Sequence, residues 1–288
     1  MTGLITKGIG GFYYVLTEEG TIEAKGRGIF KKDGITLAVG DIVEVERTED
    51  GNGVISRIYP RKNQFIRPPI VNVDTFLVVF APAQPKPNYM LIDKFLIMAE
   101  MHDIDPILCL NKCDLVSHDT VEEIRAIYDG VYPFLTVSCR TGEGLDHLKQ
   151  LVCGRKTALA GPSGVGKSTI LNHLHPEANM ETGSVSEKTR RGRHTTRHVE
   201  IFPLQGGGMI YDTPGFTSFE ILEAEEDTLA DYYPEIALLK GQCRYDDCRH
   251  ISEPDCAVRN AVATGRIHPR RYESYQANLE EIRRRKKY

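Results

Sequence analysis

The stretch Gly161-Pro-Ser-Gly-Val-Gly-Lys-Ser168 matches the phosphate-binding pattern GxxxxGK[ST] at every defined position. An apolar run at 156–160 precedes it and a helical pattern at 169–174 follows it, which predicts the strand, loop and helix that this motif requires. The glycines allow backbone N–H groups to converge on anionic oxygens at a helix N-terminus. A glycine-rich turn before a helix is the alternative, and the flanking pattern disfavours it. The predicted nucleotide-binding residues of this stretch are Gly161, Pro162, Ser163, Gly164, Val165, Gly166, Lys167, Ser168 and Thr169.

Length and composition indicate a multidomain globular protein. The chain has 288 residues, 41% of them hydrophobic and 26% charged, so we expect two or three domains. It contains no apolar run of roughly 18 residues and no apolar secretory leader, which predicts a cytoplasmic protein with no membrane partner. The formal net charge is −4, yet basic residues are concentrated at 188–197 and 283–287, where they can bind phosphates or form solvated surface.

Residues 1–68 are predicted to form an all-β barrel of the OB type. Short β-branched or aromatic runs separated by turn residues occur at 12–16, 20–24, 35–39, 41–46 and 53–58. Such a barrel can bind RNA, dock a protein or serve a purely structural role. The side chains expected on an RNA-binding face are Arg27, Lys31, Lys32 and Arg57, with Phe30 and Tyr13 for stacking. Two prolines within 66–70 predict a linker at the end of this domain.

Residues 69–218 show the alternation of strands and helices that is typical of a parallel α/β sheet. Predicted strands at 74–81, 105–110 and 132–137 alternate with predicted helices at 89–101, 120–128 and 144–152. A further strand is predicted at 208–211. The phosphate-binding stretch therefore lies in the second half of its own domain.

Asn111-Lys-Cys-Asp114 directly follows a predicted buried strand and matches the base-reading pattern NKxD. The Asp114 carboxylate can accept from the N1–H and N2 amine of guanine, and adenine offers no matching donor pair. Asn111 can contact the base edge or brace neighbouring loops, and the stem of Lys112 can cover the base plane. One predicted strand later, a backbone N–H of the loop that contains Ser138 and Cys139 is expected to meet the guanine oxygen. The predicted base-side residues are Asn111, Lys112, Cys113, Asp114, Ser138 and Cys139.

Asp212-Thr-Pro-Gly215 matches the pattern DxxG and follows the last predicted strand. Asp212 is expected to hold Mg²⁺ through a water and the Gly215 N–H to sense the γ-phosphate. The Ser168 hydroxyl and either Thr195 or Thr196 are the other expected magnesium ligands. Phe216 occupies the position after the motif and cannot orient water, so His194 is the predicted water-positioning residue, with contact to RNA or solvent as the alternative.

Residues 219–288 are predicted to form a small helical zinc-binding domain. Cys243, Cys248, His250 and Cys256 supply three thiolates and one imidazole within fourteen residues, which suits a closed structural site for one Zn²⁺. Helices are predicted at 227–239, 255–263 and 268–287. The chain has seven cysteines, an odd number that argues against a fully paired disulfide framework.

The base-reading patterns precede the phosphate-binding stretch and DxxG follows it, which is a rotated order of the usual GTPase motifs. In this order the chain resembles the circularly permuted GTPases, and with its barrel and cysteine cluster it resembles the ribosome small-subunit-dependent GTPase family over essentially its whole length. The resemblance implies a monomer that hydrolyses GTP to GDP on the small ribosomal subunit, acts in late subunit maturation, and grips rRNA with its barrel and zinc domain. A P-loop kinase or ATPase and an RNA-binding switch with negligible turnover are the competing interpretations; Asp114 argues against the first.

Overall fold

The computed structural model describes residues 1–32, 34–49, 51–66, 68–178, 199–213 and 224–285. Strands in these ranges are β1 Thr2–Ile9, β2 Phe12–Thr17, β3 Gly20–Gly26, β4 Ile42–Arg47, β5 Gly53–Ile58, β6 Thr75–Phe80, β7 Asp105–Asn111, β8 Phe134–Val137, β9 Lys156–Ala160, β10 Glu200–Pro203 and β11 Met209–Asp212. Helices are α1 Gly28–Lys32, α2 Tyr89–Met101, α3 His118–Ala126, α4 Leu145–Val152, α5 Lys167–Leu174, α6 Pro234–Ala237, α7 Ala257–Ala263 and α8 Pro269–Arg285. Short 3₁₀ turns occur at Cys113–Leu115, Pro176–Ala178 and Leu229–Tyr232.

The chain divides into two compact units. The first comprises the described residues of Met1–Phe76, Asp146–Ala160 and Lys167–Thr217. The second comprises those of Leu77–Leu145, Gly161–Gly166 and Ser218–Tyr288. This division cuts the chain differently from the predicted domains 1–68, 69–218 and 219–288, whose boundaries stay a prediction.

The N-terminal part of the first unit is a closed five-stranded barrel, as the sequence predicts. Strand β1 pairs antiparallel with both β2 and β4, β2 pairs with β3, and β5 closes the ring by pairing with β3 in parallel and with β4 antiparallel. Alternating apolar residues of these strands fill the interior, among them Ile5, Val15, Val43 and Ile55, each fully buried. The period-2 pattern of the strands thus accounts for the barrel core.

Two details of the predicted barrel are wrong. Residues 35–39 form no strand, because their polar backbone groups bond to side chains: the Ala38 N–H donates to the Asp41 carboxylate and the Thr36 carbonyl accepts from Arg61. Strand β1 is the fifth strand instead. Phe30 is buried in the barrel core with 9% of its surface exposed, so it is not available to stack on a base.

Beyond the barrel, the first unit continues its sheet through β10, β11 and β9. Strand β1 meets β10 at the pair Lys7 and Glu200, whose side chains form a salt bridge of 2.8 Å. Strand β10 runs antiparallel to β11, and β11 runs parallel to β9. The carboxyl ends of β11 and β9 therefore point the same way, which is the edge where α/β proteins bind ligands.

The second unit contains β7, β8 and the part of β6 from Leu77 onward, and these strands are neighbours in the order β6, β7, β8, with β7 and β8 parallel. All six residues of β6 are buried, as expected for a strand covered on both faces. Helix α2 lies between β6 and β7 in sequence, and α3 lies between β7 and β8. The predicted alternation of strands and helices is confirmed.

The C-terminal part of the second unit is helical and packs its apolar side chains with Ile97 of α2. The single helix predicted at 227–239 is wrong: a 3₁₀ turn is followed by the short α6, because Pro234 lacks an N–H and forces Tyr233 into an extended conformation. Helix α8 carries the basic residues predicted near the C-terminus as far as Arg285. No helix in the described ranges has the length and apolar character needed to cross a bilayer.

Candidate nucleotide site and metal centre

The base-reading sequence lies at the end of β7, where the backbone turns sharply. Lys112 adopts the left-handed conformation with φ of 64°, and a 3₁₀ turn begins at Cys113. This turn brings the Asp114 carboxylate against the loop that follows β8. The Ser138 hydroxyl donates to Asp114 Oδ1 at 2.6 Å, and Arg140 Nε pairs with Oδ2 at 2.8 Å. The Ser138 hydroxyl and, to a smaller extent, Arg140 hold the pKa of the Asp114 carboxyl below its usual range, so it is ionised at neutral pH.

Asn111 braces the phosphate-binding loop, one of the two roles that the sequence leaves open for it. Its side-chain Nδ2 donates to the Val165 carbonyl at 2.8 Å, and its Oδ1 accepts from the Cys139 N–H at 3.4 Å. A Cβ at Gly166 would lie 2.3 Å from Asn111 Nδ2, so glycine is required for this close approach. One buried amide thus links the base-side loops to the phosphate-binding loop.

The side chain of Lys112 is also held by hydrogen bonds to neighbouring loops. Its Nζ donates to the carbonyls of Gln84 at 2.8 Å and Gly164 at 2.7 Å. The ammonium group therefore ties the loop after β6 to the phosphate-binding loop. Coverage of the base by the Lys112 stem stays a prediction.

The phosphate-binding loop has the backbone that its glycines permit. Gly161 has φ of 131° and Gly164 has φ of 80°, both in the region that favours glycine. A Cβ on Gly161 would lie 2.0 Å from the Val79 carbonyl oxygen of β6, so no side chain fits there. Pro162 is half-buried, and Ser163 and Gly164 are exposed, which leaves this turn open to a ligand.

In the first unit, Lys167, Ser168 and Thr169 form the first turn of α5, and Asp212 ends β11. The Thr213 hydroxyl anchors the chain after Asp212 by donating to the Leu159 carbonyl at 3.0 Å. Burial lowers the pKa of Lys167 to about 8, against the opposing charge of Asp212. Lys167 is therefore mostly charged at pH 7 and loses its charge as the pH rises through about 8.

Nucleotide affinity should therefore fall as pH rises, because only the charged form of Lys167 attracts phosphate. With a pKa of about 8, the charged fraction falls about four-fold between about pH 7 and pH 8.5, and GDP affinity should fall by a similar factor. Titration calorimetry across this pH range measures the affinity for GDP. Lys167→Arg stays charged and therefore corrects for titration of the nucleotide. If GDP affinity falls equally with pH in both proteins, deprotonation of Lys167 is not the cause.

Four predicted site residues, His194, Thr195, Thr196 and Gly215, lie outside the described residues, as does the basic segment 188–197. Their predicted roles in water positioning, magnesium binding and γ-phosphate sensing stay predictions.

The second unit also brings the predicted zinc ligands together. The ligand atoms of Cys243, Cys248, His250 and Cys256 all lie within 4.8 Å of one another. His250 Nδ1 is 3.5 Å from the sulfurs of Cys243 and Cys256, and those sulfurs are 3.9 Å apart. A tetrahedral zinc ion with ordinary bond lengths would separate nitrogen from sulfur by about 3.5 Å and sulfur from sulfur by about 3.8 Å. The cluster therefore fits such an ion.

Glu253 shapes the loop that carries His250. Its carboxylate accepts from the N–H groups of Arg249 at 2.8 Å, Ile251 at 2.8 Å and Ser252 at 3.0 Å. Burial acts to raise the pKa of the Glu253 carboxyl, but the N–H of Glu253 itself and these three N–H groups together lower it to about 2. The loop that holds His250 in its left-handed conformation, φ 61°, is thereby fixed by the chain itself.

Sequence reasoning overlooked Arg140, Gln84 and Glu253. Arg140 follows Cys139 directly, so its proximity to the base-reading loop was available from the sequence, but its pairing with Asp114 was not. Gln84 contributes only a backbone carbonyl, which no residue type signals. Glu253 lies between two predicted zinc ligands, and that position was the available hint.

Comparisons with known proteins agree with this geometry. The sequence profile of the RsgA GTPase matches residues 58–222, and that of the RsgA N-terminal domain matches residues 2–55. A small ribosomal subunit biogenesis GTPase RsgA from Agathobacter rectalis is 44% identical, with all of both chains covered. One of the same description from Caldanaerobacter subterraneus is 44% identical over 99% of this chain and 97% of the relative.

Two crystal structures share the fold. YjeQ from Thermotoga maritima superposes with a TM-score of 0.85 at 34% identity, covering 98% of each chain. YloQ, described as a circularly permuted GTPase, gives a TM-score of 0.82 at 37% identity over 99% of this chain and 95% of the other. An OB-type barrel, a phosphate-binding loop preceded by NKxD, and a C-terminal cysteine cluster define a circularly permuted P-loop GTPase with a helical zinc-site region. The chain belongs to the RsgA GTPase family and is accordingly a GTP hydrolase.

Proposed function

We propose that this GTPase hydrolyses GTP to GDP and phosphate under stimulation by the small ribosomal subunit, and that it acts in late maturation of that subunit through rRNA binding. The description of the relatives as small ribosomal subunit biogenesis GTPases supports the process. The ionised Asp114 carboxylate, held beside a preformed phosphate-binding loop, is the observation that carries the choice of nucleotide. We also propose that the protein acts in the cytoplasm and as a monomer.

The proposed base-side roles follow from the contacts within the second unit. Asp114 accepts from the guanine N1–H and N2 amine, and the backbone of Ser138 and Cys139 faces the guanine oxygen. Asn111 and Lys112 hold the loops in place, which keeps the pocket shaped before the base arrives. Cys113 contributes its backbone to the turn and its buried thiol lies 3.7 Å from Glu143.

Phosphate-side roles are proposed for the residues of the phosphate-binding motif and of DxxG. Backbone N–H groups of Gly161–Gly166 cradle the phosphates, and Lys167 neutralises the charge that develops during transfer to water. Ser168 and Asp212 would hold Mg²⁺ when nucleotide is bound, together with Thr195 or Thr196, and that ion would neutralise phosphate charge. We propose that His194 orients the attacking water.

The proposed zinc ion is structural. Four protein ligands fill a tetrahedral set and leave no position for water, so the ion would stabilise the fold of residues around Cys243–Cys256 rather than activate a nucleophile. The tyrosines of α8 support the same loop, since Tyr275 donates to the Arg249 carbonyl at 3.0 Å and Tyr272 to the His250 carbonyl at 2.5 Å.

The barrel supports rRNA binding through paired cations and rings. Lys25 Nζ lies 4.4 Å from the centroid of Phe12, and the Arg57 guanidinium lies 5.2 Å from that of Tyr59. A cation beside an aromatic face can contact phosphate while the ring stacks on a base. Arg57 is thus retained from the predicted RNA-binding face, and Lys25, Phe12 and Tyr59 are added to it in place of Phe30.

GTP hydrolysis with and without purified small ribosomal subunits tests the proposal. We expect slow intrinsic turnover that rises by roughly a hundred-fold or more with subunits, since partners produce changes of this order in other GTPases. Free rRNA serves as the second additive and Lys167→Ala as the control for contaminating activity. Intrinsic turnover that subunits leave unchanged would refute the proposal, and stimulated turnover that survives His194→Ala would refute the role of His194.

A further inference from the structure

Both oxygens of the Asp114 carboxylate are engaged in this structure, by two partners of different character. Ser138 is fully buried, and its hydroxyl also accepts from the Thr141 N–H at 3.2 Å, so it belongs to the folded loop. Arg140 has 73% of its side chain exposed and reaches Asp114 from the solvent side. The carboxylate itself is only 10% exposed.

The two partners differ in how far they hinder a base from reaching the carboxylate oxygen that each contacts. A carboxylate oxygen accepts two hydrogen bonds, so the bond from Ser138 does not by itself prevent Oδ1 from accepting a donor of guanine. The guanidinium of Arg140 is broad, carries several donors, and pairs with Oδ2 at 2.8 Å from an exposed position. A base that binds both oxygens must therefore compete with Arg140 for Oδ2.

We propose that Arg140 is an exchangeable counterion of Asp114, which guanine displaces on binding and which returns as the nucleotide leaves. The inference rests on the proposed base-reading role of Asp114. Arg140 competes with the base, so it lowers the affinity for guanine nucleotides. It also gives Oδ2 of Asp114 a partner when GDP departs, which speeds release.

Variants of Arg140 test this exchange by stopped-flow measurement of a fluorescent GDP. Arg140→Ala and Arg140→Met should bind GDP about two- to five-fold more tightly, the fold-change that corresponds to losing one exposed ion pair. The gain should appear as slower dissociation, and Arg140→Lys should stay close to the wild type. Arg284→Ala is the matched control, because Arg284 is 74% exposed and pairs with Glu280 at 2.6 Å on α8.

Unchanged GDP affinity in Arg140→Ala would overturn the inference. Weaker binding would overturn it as well, because Arg140 would then support the bound base. The double variant Asp114→Asn/Arg140→Ala should show no further effect of Arg140 relative to Asp114→Asn alone. If Asp114→Asn keeps its preference for GDP, the proposed function fails; if it loses that preference while Arg140→Ala binds normally, only the counterion role fails.

Discussion

Replacing Arg271 by methionine is expected to lower the free energy of unfolding of the second unit by about 3–5 kcal/mol, because two buried carboxylates lose their cation. Only 2% of the Arg271 side chain is exposed. Its Nη1 donates to Asp93 of α2, and its Nε and Nη2 donate to the two carboxylate oxygens of Glu235 at 2.7 and 3.3 Å. The side chains of Asp93 and Glu235 are 1% and 8% exposed, so water cannot replace Arg271.

Three tyrosine rings surround the same guanidinium. The Arg271 Cζ lies 4.7 Å from the ring centroid of Tyr233, 5.5 Å from that of Tyr128 and 5.6 Å from that of Tyr132. Arg271 belongs to α8, Tyr128 and Tyr132 lie in the segment after α3, and Tyr233 directly precedes α6. The cation therefore joins the C-terminal helices to α2 and the segment before β8 within one unit.

Urea unfolding, together with hydrogen exchange of peptides from α2 and α8, measures the loss of stability in Arg271→Met. Arg270→Met is the matched control, because Arg270 is 53% exposed and pairs with Glu273, and it should change stability by less than about 1 kcal/mol. Adding Asp93→Leu to Arg271→Met should restore part of the loss, since it removes one unpaired acid. Stability of Arg271→Met within about 1 kcal/mol of the wild type would contradict the account.

The pH dependence gives an independent check on Arg271→Met. Burial raises the pKa of the Asp93 carboxyl, and Arg271 opposes that shift. Without Arg271 the folded-state pKa of Asp93 rises further. A carboxyl with a raised folded-state pKa contributes stability at low pH that is lost as pH rises through that pKa. The destabilisation should therefore be smaller in acid than at neutral pH.

The sequence predicted the parts of this molecule that short motifs and periodicity encode. The phosphate-binding stretch, NKxD and the cysteine cluster predict chemistry through fixed spacing, and the structure brings the ligand atoms of the four predicted zinc ligands within 4.8 Å of one another. The alternation of strands and helices after residue 69 was also predictable, because buried parallel strands such as β6 are continuously apolar. The rotated order of the GTPase motifs, together with the barrel and the cysteine cluster, was enough to indicate the family.

What the sequence did not predict depends on contacts between distant residues. Residues 35–39 are apolar enough for a strand. However, the Asp41 carboxylate and the Arg61 guanidinium form hydrogen bonds with backbone groups of this segment. Arg271 lies in a polar helix pattern that suggests exposure, and only its distant partners Asp93 and Glu235 explain its burial. The pairing of Arg140 with Asp114 likewise depends on how two loops fold together. Local pattern carries no signal for such contacts.

Replacing Asp114 by asparagine is expected to weaken GDP binding by roughly a hundred-fold or more, because an amide cannot accept two donors from the guanine edge. The loss should be confined to the base, since the phosphate-binding loop is braced by Asn111 and Lys112 rather than by Asp114. We expect ADP to bind the wild type weakly and Asp114→Asn to change this binding little. Asp119→Asn makes the same chemical change at an exposed position in the first turn of α3 and should leave GDP binding unaltered.

The most direct test of the central claim, a guanine-specific site read by Asp114, is competition of GDP and ADP for the wild type and for Asp114→Asn by equilibrium displacement of a fluorescent GDP. The account predicts that the wild type prefers GDP by at least about a hundred-fold and that Asp114→Asn loses this preference. Equal affinity of the wild type for GDP and ADP, or an unchanged GDP preference in Asp114→Asn, would contradict it.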